Sequence, residues 1–88
     1  LYYDTVKCYS QAFKLGWMPS ASHSEEYTLA YEKEKKRLQL MIEKCHIDIR
    51  LGKTPIRSLE ELEKNLRQLT EWYEEFRHLL RREDMVHE

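Results

Sequence analysis

Four histidines and two cysteines are the side chains best suited to chemistry, and their spacing argues against it. His23, His46, His78 and His87 are spread along the chain. None has a Ser, Cys or carboxylate at a spacing that would clearly form a nucleophile–base pair on a shared face. Cys45 and His46 are adjacent, so on a helix they diverge by about 100° and are poorly placed to chelate one metal. There is no CxxC pair and no glycine-rich loop to cradle a phosphate. The reading is non-enzymatic, with no cofactor and no metal. The remaining chemistry is that of contact surfaces. The run at 33–37 (Lys, Glu, Lys, Lys, Arg) is basic, but Glu25, Glu26, Glu32 and Glu34 dilute its field, so it reads as a solvated helix face. More informative are Leu40, Ile47 and Leu51, which fall off the main apolar stripe of their segment.

Those residues need a rigid element to hold them, and the composition supplies one. Charged residues make up 35% of the 88, with only two Gly and two Pro, as expected of long surface helices. A hydrophobic share of 41% with six Tyr is too apolar for disorder. The net charge of −1 gives no global basic field, so nucleic acid is not expected as a partner. No apolar run approaches the roughly 18 residues a bilayer requires, so this segment is not expected to insert in a membrane. The chain opens in mid-pattern at Leu1 and reads as a piece of a longer protein. Cys8 and Cys45 carry no disulfide framework and read as free thiols, which predicts exposure to a reducing compartment on the cytosolic side.

Periodicity predicts three helices in one domain spanning 1–88. Tyr2, Val6, Tyr9 and Phe13 share one face of a short helix over about 2–15. Gly16 suits its left-handed end, Pro19 blocks continuation, and a loop covers 16–24. A long helix follows over about 25–51. Ser22 with Glu25, or Ser24, would cap it, and Glu25 and Glu26 would sit in its first turn. Its stripe is Tyr27, Tyr31, Leu38, Ile42, Cys45 and Ile49. The connector, 52–57, contains Gly52 and Pro55, and short connectors favour antiparallel neighbours. Ser58 and Glu61 form a capping box for a third helix over about 58–82. Leu59, Leu62, Leu66, Leu69, Tyr73, Phe76 and Leu80 alternate steps of three and four without a break, a seam of about three heptads. The fold class is therefore all-α: a short N-terminal helix followed by a long two-helix antiparallel coiled-coil hairpin. Folding the hairpin sets Cys45 against Leu66, Ile49 against Leu59 and Leu62, and Tyr31 against Phe76 and Leu80.

A hairpin needs one apolar face per helix, and this one has more. Leu29, Leu40, Ile47 and Leu51 lie about 180–220° from Leu38. On the third helix Trp72, Leu79 and Val86 recur off the main seam. The short first helix is expected to cover Leu29, Trp72, Leu79 and Val86 at the open end. Leu40, Ile47 and Leu51 would then remain as an apolar strip rimmed by Lys36, Arg37, Glu43, Lys44 and Arg50, the usual anatomy of a protein interface. The expected partner site is Leu40, Ile47 and Leu51 as anchors with Lys36, Glu43, Lys44 and Arg50 around them. A second site at Trp72, Glu75 and Leu79 would compete with the first helix. The alternative use of such a strip is homodimerisation, making the chain a structural oligomerisation module.

The segment 37–50, then Gly52 and the helix start at Ser58, Leu59, Glu60 and Glu61, resembles the GTPase-binding helical hairpins of Ral and Rab effectors. Over residues 35–82 the layout is similar to the Ral-binding domain of the Ral-binding RhoGAP protein. Over the whole chain, a short helix followed by a hairpin resembles the C-terminal coiled-coil domain of the PDZ-domain-containing lipid-transfer tether of the endoplasmic reticulum. That family engages the GTP form of a late-endosomal Rab. The resemblance implies a GTP-loaded small GTPase, of Rab or Ral type, as partner. It also implies a place on the cytosolic face of the endoplasmic reticulum, at contacts with late endosomes or lysosomes. Switch residues ordered only when the γ-phosphate is bound would then meet a rigid helical strip.

Overall fold

The computed structural model describes the backbone of residues 2–87 and the side chains of residues 2–80. The chain is all-helical: α1 (Tyr2–Lys14), α2 (Ala21–Arg50) and α3 (Leu59–His87), with no strand among the described residues. They form a rod with extents of 56 × 21 × 19 Å.

The same device ends α1 and α2. Gly16 and Gly52 take positive φ angles of 95° and 75°, a conformation that costs glycine little because it has no Cβ. The Gly16 N–H donates to Phe13 O, and the Trp17 N–H donates to Ala12 O. Likewise the Gly52 N–H donates to Ile49 O and the Lys53 N–H to Asp48 O. Each pair of bonds satisfies carbonyls that the helix end would otherwise leave without partners.

The start of α2 differs from the expectation. Its cap is Ser20, in an extended conformation, whose Oγ accepts from the His23 N–H at 3.3 Å. Neither Ser22 nor Ser24 is the cap, and Glu25 and Glu26 fall outside the first turn. Ser20 is the first hydroxyl residue after Pro19, so the helix begins as soon as the proline allows. At the other end α3 continues past the expected 82 to His87.

The α3 seam packs as its spacing predicts. Leu62, Leu69 and Phe76 are buried, and Leu59, Leu66, Tyr73 and Leu80 pack half-buried against them. From α2, Tyr27, Ala30, Tyr31, Leu38 and Cys45 join this core, with Ile42 half-buried beside them. The register differs by between one and two turns of α3 from the expected one. The Tyr31 ring stacks on Tyr73 at 3.9 Å, and Tyr27 meets Phe76 at 4.3 Å. Cys45 also reaches the connector, its Sγ donating to Arg57 O at 3.5 Å. The connector runs back along the last turn of α2 before α3 begins. Ile49 therefore overshoots the start of α3 and is 52% exposed, where its stripe position predicts burial.

Helix α1 lies against both long helices at one end of the rod. Val6 is fully buried, and Phe13 stacks on Phe76 at 5.2 Å. Ser10 and the Tyr27 hydroxyl share a buried hydrogen bond of 3.1 Å, so neither polar group is left without a partner. The Tyr9 hydroxyl donates to Glu26 at 2.9 Å. With 13 residues against 30, α1 is about 20 Å long beside an α2 of about 45 Å, so it covers only part of the rod.

Burial of Tyr27 has a measurable consequence. Desolvation, the largest cause, pushes its hydroxyl up from 10.0 to about 12, although the hydrogen bond with Ser10 pulls the other way. The folded state holds the proton where the unfolded state has released it. Stability is then unchanged below about pH 10 and falls as pH rises toward 12, by about 2 kcal/mol. Tyr3 and Tyr9, both raised chiefly by burial, act in the same direction. Denaturant midpoints measured across alkaline pH should fall in this window; a flat profile would contradict the buried placement of Tyr27.

Candidate partner-binding surface

The strip expected on α2 is where its spacing puts it. Leu40, Ile47 and Leu51 are 56%, 51% and 64% exposed. Lys36, Glu43, Lys44 and Arg50 are all exposed around them. The outward position follows from α2 itself. Leu38 is buried at 1% exposure, and residues about half a rotation away must face outward.

One residue extends this apolar surface beyond the expectation. Leu29 is 52% exposed, although α1 was expected to cover it. Helix α1 instead runs along the side of α2 that carries Glu26, Tyr27 and Lys33, with the Lys33 ammonium donating to the Tyr2 hydroxyl at 3.4 Å. Ile49, displaced from the core by the register, is also exposed, but it stands about half a rotation from this line, on the side of α2 that carries Leu38.

Arg37, placed in the rim by its sequence position, is engaged within its own helix. Its Nε donates to Glu34 Oε1 at 2.7 Å and a second guanidinium nitrogen donates to Oε2 at 2.9 Å. That fork raises the Arg37 pKa, with the Glu34 hydrogen bond as the largest cause. Glu34 itself is buried, near enough to Tyr3 to help raise its hydroxyl pKa. Sequence reasoning counted Glu34 among the solvated charges. The available signal was its angle, only about 40° from Leu38 and so on the core side of α2.

The second candidate site is taken by the chain itself. The Trp72 ring is half-buried and lies 5.4 Å from Tyr3 of α1. Leu79 packs half-buried against the core, and lines a shallow groove with Phe13, Lys14, Glu75 and His78. Glu75 is exposed, but without Trp72 and Leu79 it has no apolar centre to rim. Val86 lies outside the described side chains.

Among the described residues no group of three or more His, Cys, Asp or Glu side chains could hold a metal ion. Cys45 is buried while His46 beside it is exposed, the divergence expected of neighbours on a helix. Cys8 and Cys45 are both free thiols. No described helix is long and apolar enough to cross a membrane. What the arrangement offers chemically is a rigid, outward apolar line with charges beside it. Comparisons with protein-family models, curated proteins and solved structures each returned no match.

Proposed function

We propose that this chain is a protein-interaction module that binds a small GTPase in its GTP form through the outer face of α2. In this reading α2 and α3 form an antiparallel coiled-coil hairpin, α1 braces its open end, and the strip Leu40, Ile47 and Leu51 is the docking surface. The observation that carries it is the exposure of three aligned apolar side chains on a helix whose opposite face buries Tyr27, Tyr31, Leu38 and Cys45. Lys36, Glu43, Lys44 and Arg50 supply the polar rim that orients a partner.

The resemblance in layout to GTPase-binding hairpins is what points to a GTPase, and to the Rab type before the Ral type. The same resemblance suggests the setting: a cytosolic module that tethers the endoplasmic reticulum to late endosomes or lysosomes. A rigid helical surface suits such a role, because it can select one conformation of a switch without reshaping itself.

The test is a pull-down with purified Rab- and Ral-type GTPases, each loaded with a non-hydrolysable GTP analogue or with GDP. Retention of a GTPase in the GTP-analogue state alone is the expected result. Silence across the panel would overturn the reading in favour of self-association.

A further inference from the structure

The outer face of α2 is symmetric about its own middle. Leu29 and Leu51 stand equally far in sequence on either side of Leu40, and all three are more than half exposed. Successive members rotate by only about 20°, so they hold one line along the helix. From Leu29 to Leu51 that line is about 33 Å, or six turns.

The charges beside it share the symmetry. Glu32, Lys36, Glu43 and Arg50 lie about 40–80° to one side of the line. None of the four is in an ion pair among the described residues; the pairs formed there are Arg37 with Glu34 and Arg77 with Glu74. If a second α2 is laid antiparallel with Leu40 on Leu40, Leu29 meets Leu51 of the second copy at each end. Lys36 then stands within a residue of level with Glu43 of the second copy, and Glu32 within two residues of Arg50. Each pair occurs twice by the two-fold symmetry. On the other side of the line two cations, Arg37 and Lys33, are already engaged within the chain. Arg37 is held by Glu34, and Lys33 lies at the Tyr2 hydroxyl and 5.3 Å from the centre of its ring. Lys44 thus faces an Arg37 whose charge is offset.

We infer that α2 pairs with α2 of a second copy, antiparallel, about a two-fold axis at Leu40. An anionic lipid surface would meet Glu32 and Glu43 along the same line, whereas a second copy turns both into ion-pair partners. The inference does not depend on the GTPase reading. Both occupants use Leu40 and Leu51, so the paired form and the GTPase-bound form exclude one another.

Sedimentation of the full chain over a wide range of protein concentration tests this, with far-UV circular dichroism on each variant. The wild type should pass from monomer to dimer as concentration rises. Leu40→Asp sets two carboxylates against each other at the axis and should be monomeric throughout with helicity intact. Arg50→Glu should weaken dimerisation about tenfold, as expected for two reversed surface pairs. Adding Glu32→Arg to it should restore the wild-type constant. A wild type that stays monomeric to its solubility limit would overturn the inference and leave the strip to an unlike partner. So would a dimer indifferent to Leu40→Asp, a double variant no tighter than Arg50→Glu alone, or loss of helicity in Leu40→Asp, since Leu40 would then not face outward.

Discussion

Ile47→Asp should abolish partner binding while leaving the fold in place. Ile47 is half exposed and stands between Leu40 and Leu51 on the outer face of α2. An aspartate there would place an unpaired charge at the apolar centre of the contact, and such central anchors are where truncation costs at least about 2 kcal/mol. The dissociation constant for the GTPase should therefore rise by a factor of about 30 or more. Far-UV circular dichroism and the unfolding midpoint should stay close to wild type, because an exposed substitution away from packing features shifts stability by about 0.5 kcal/mol or less. Binding that survives the change would remove the strip as the site. A collapsed helical signal would show that Ile47 belongs to the core.

Phe76→Ala should have the opposite character, costing stability first. Phe76 is 1% exposed and is the ring on which all three helices meet. It stacks with Phe13 of α1 at 5.2 Å and packs at 4.3 Å against Tyr27 of α2. Truncation leaves a cavity that these rings can fill only in part, which for a buried Phe costs about 3–5 kcal/mol. Domains of this kind have about 5–15 kcal/mol in all, and an 88-residue chain stands toward the low end. Urea unfolding should show a midpoint shifted by that amount or a chain already largely unfolded. A loss below about 1 kcal/mol would show that α1 and the two long helices do not share this contact. If helix α1 were released and the α2 outer face kept, partner binding would weaken only through the fraction unfolded.

What was legible in the residues was whatever period alone decides. The α3 seam from Leu59 to Leu80 repeats without a break, and its members are either buried in the core or packed half-buried against it. Leu40, Ile47 and Leu51 were legible for the complementary reason: fixing Leu38 inward fixes their direction outward. Ile49 was not legible, because its fate depends on where the connector returns. The hydrogen bonds from Lys53 to Asp48 and from Cys45 to Arg57 mark that return, and α3 stands between one and two turns from the expected register. Leu29 was misplaced because the route of α1 depends on tertiary contacts. Tyr9 to Glu26, Ser10 to Tyr27 and Lys33 to Tyr2 draw α1 to another side of α2. Glu34 was misread because a carboxylate is assigned to solvent by default. The Arg37 fork, made along the same helix, is what permits its burial.

These corrections sharpen the interface. With Trp72 under Tyr3 and Leu79 half-buried against the core, the aligned apolar surface that stays exposed on α2 runs from Leu29 through Leu40 and Ile47 to Leu51. α1 leaves that line uncovered. Under the proposed docking on one helix face, variants of the outer face of α2 and variants of the α3 seam should separate cleanly in binding and in folding.

The most direct measurement is site-specific photocrosslinking to the GTPase panel, with a photoreactive side chain placed either at position 47 on the α2 line or at position 71 on the outer side of α3. Adducts from position 47 with the GTP-analogue form, and none from position 71 or with GDP, are the predicted result. Adducts from position 71 in preference to 47, equal adducts in both nucleotide states, or none with any GTPase would contradict the account.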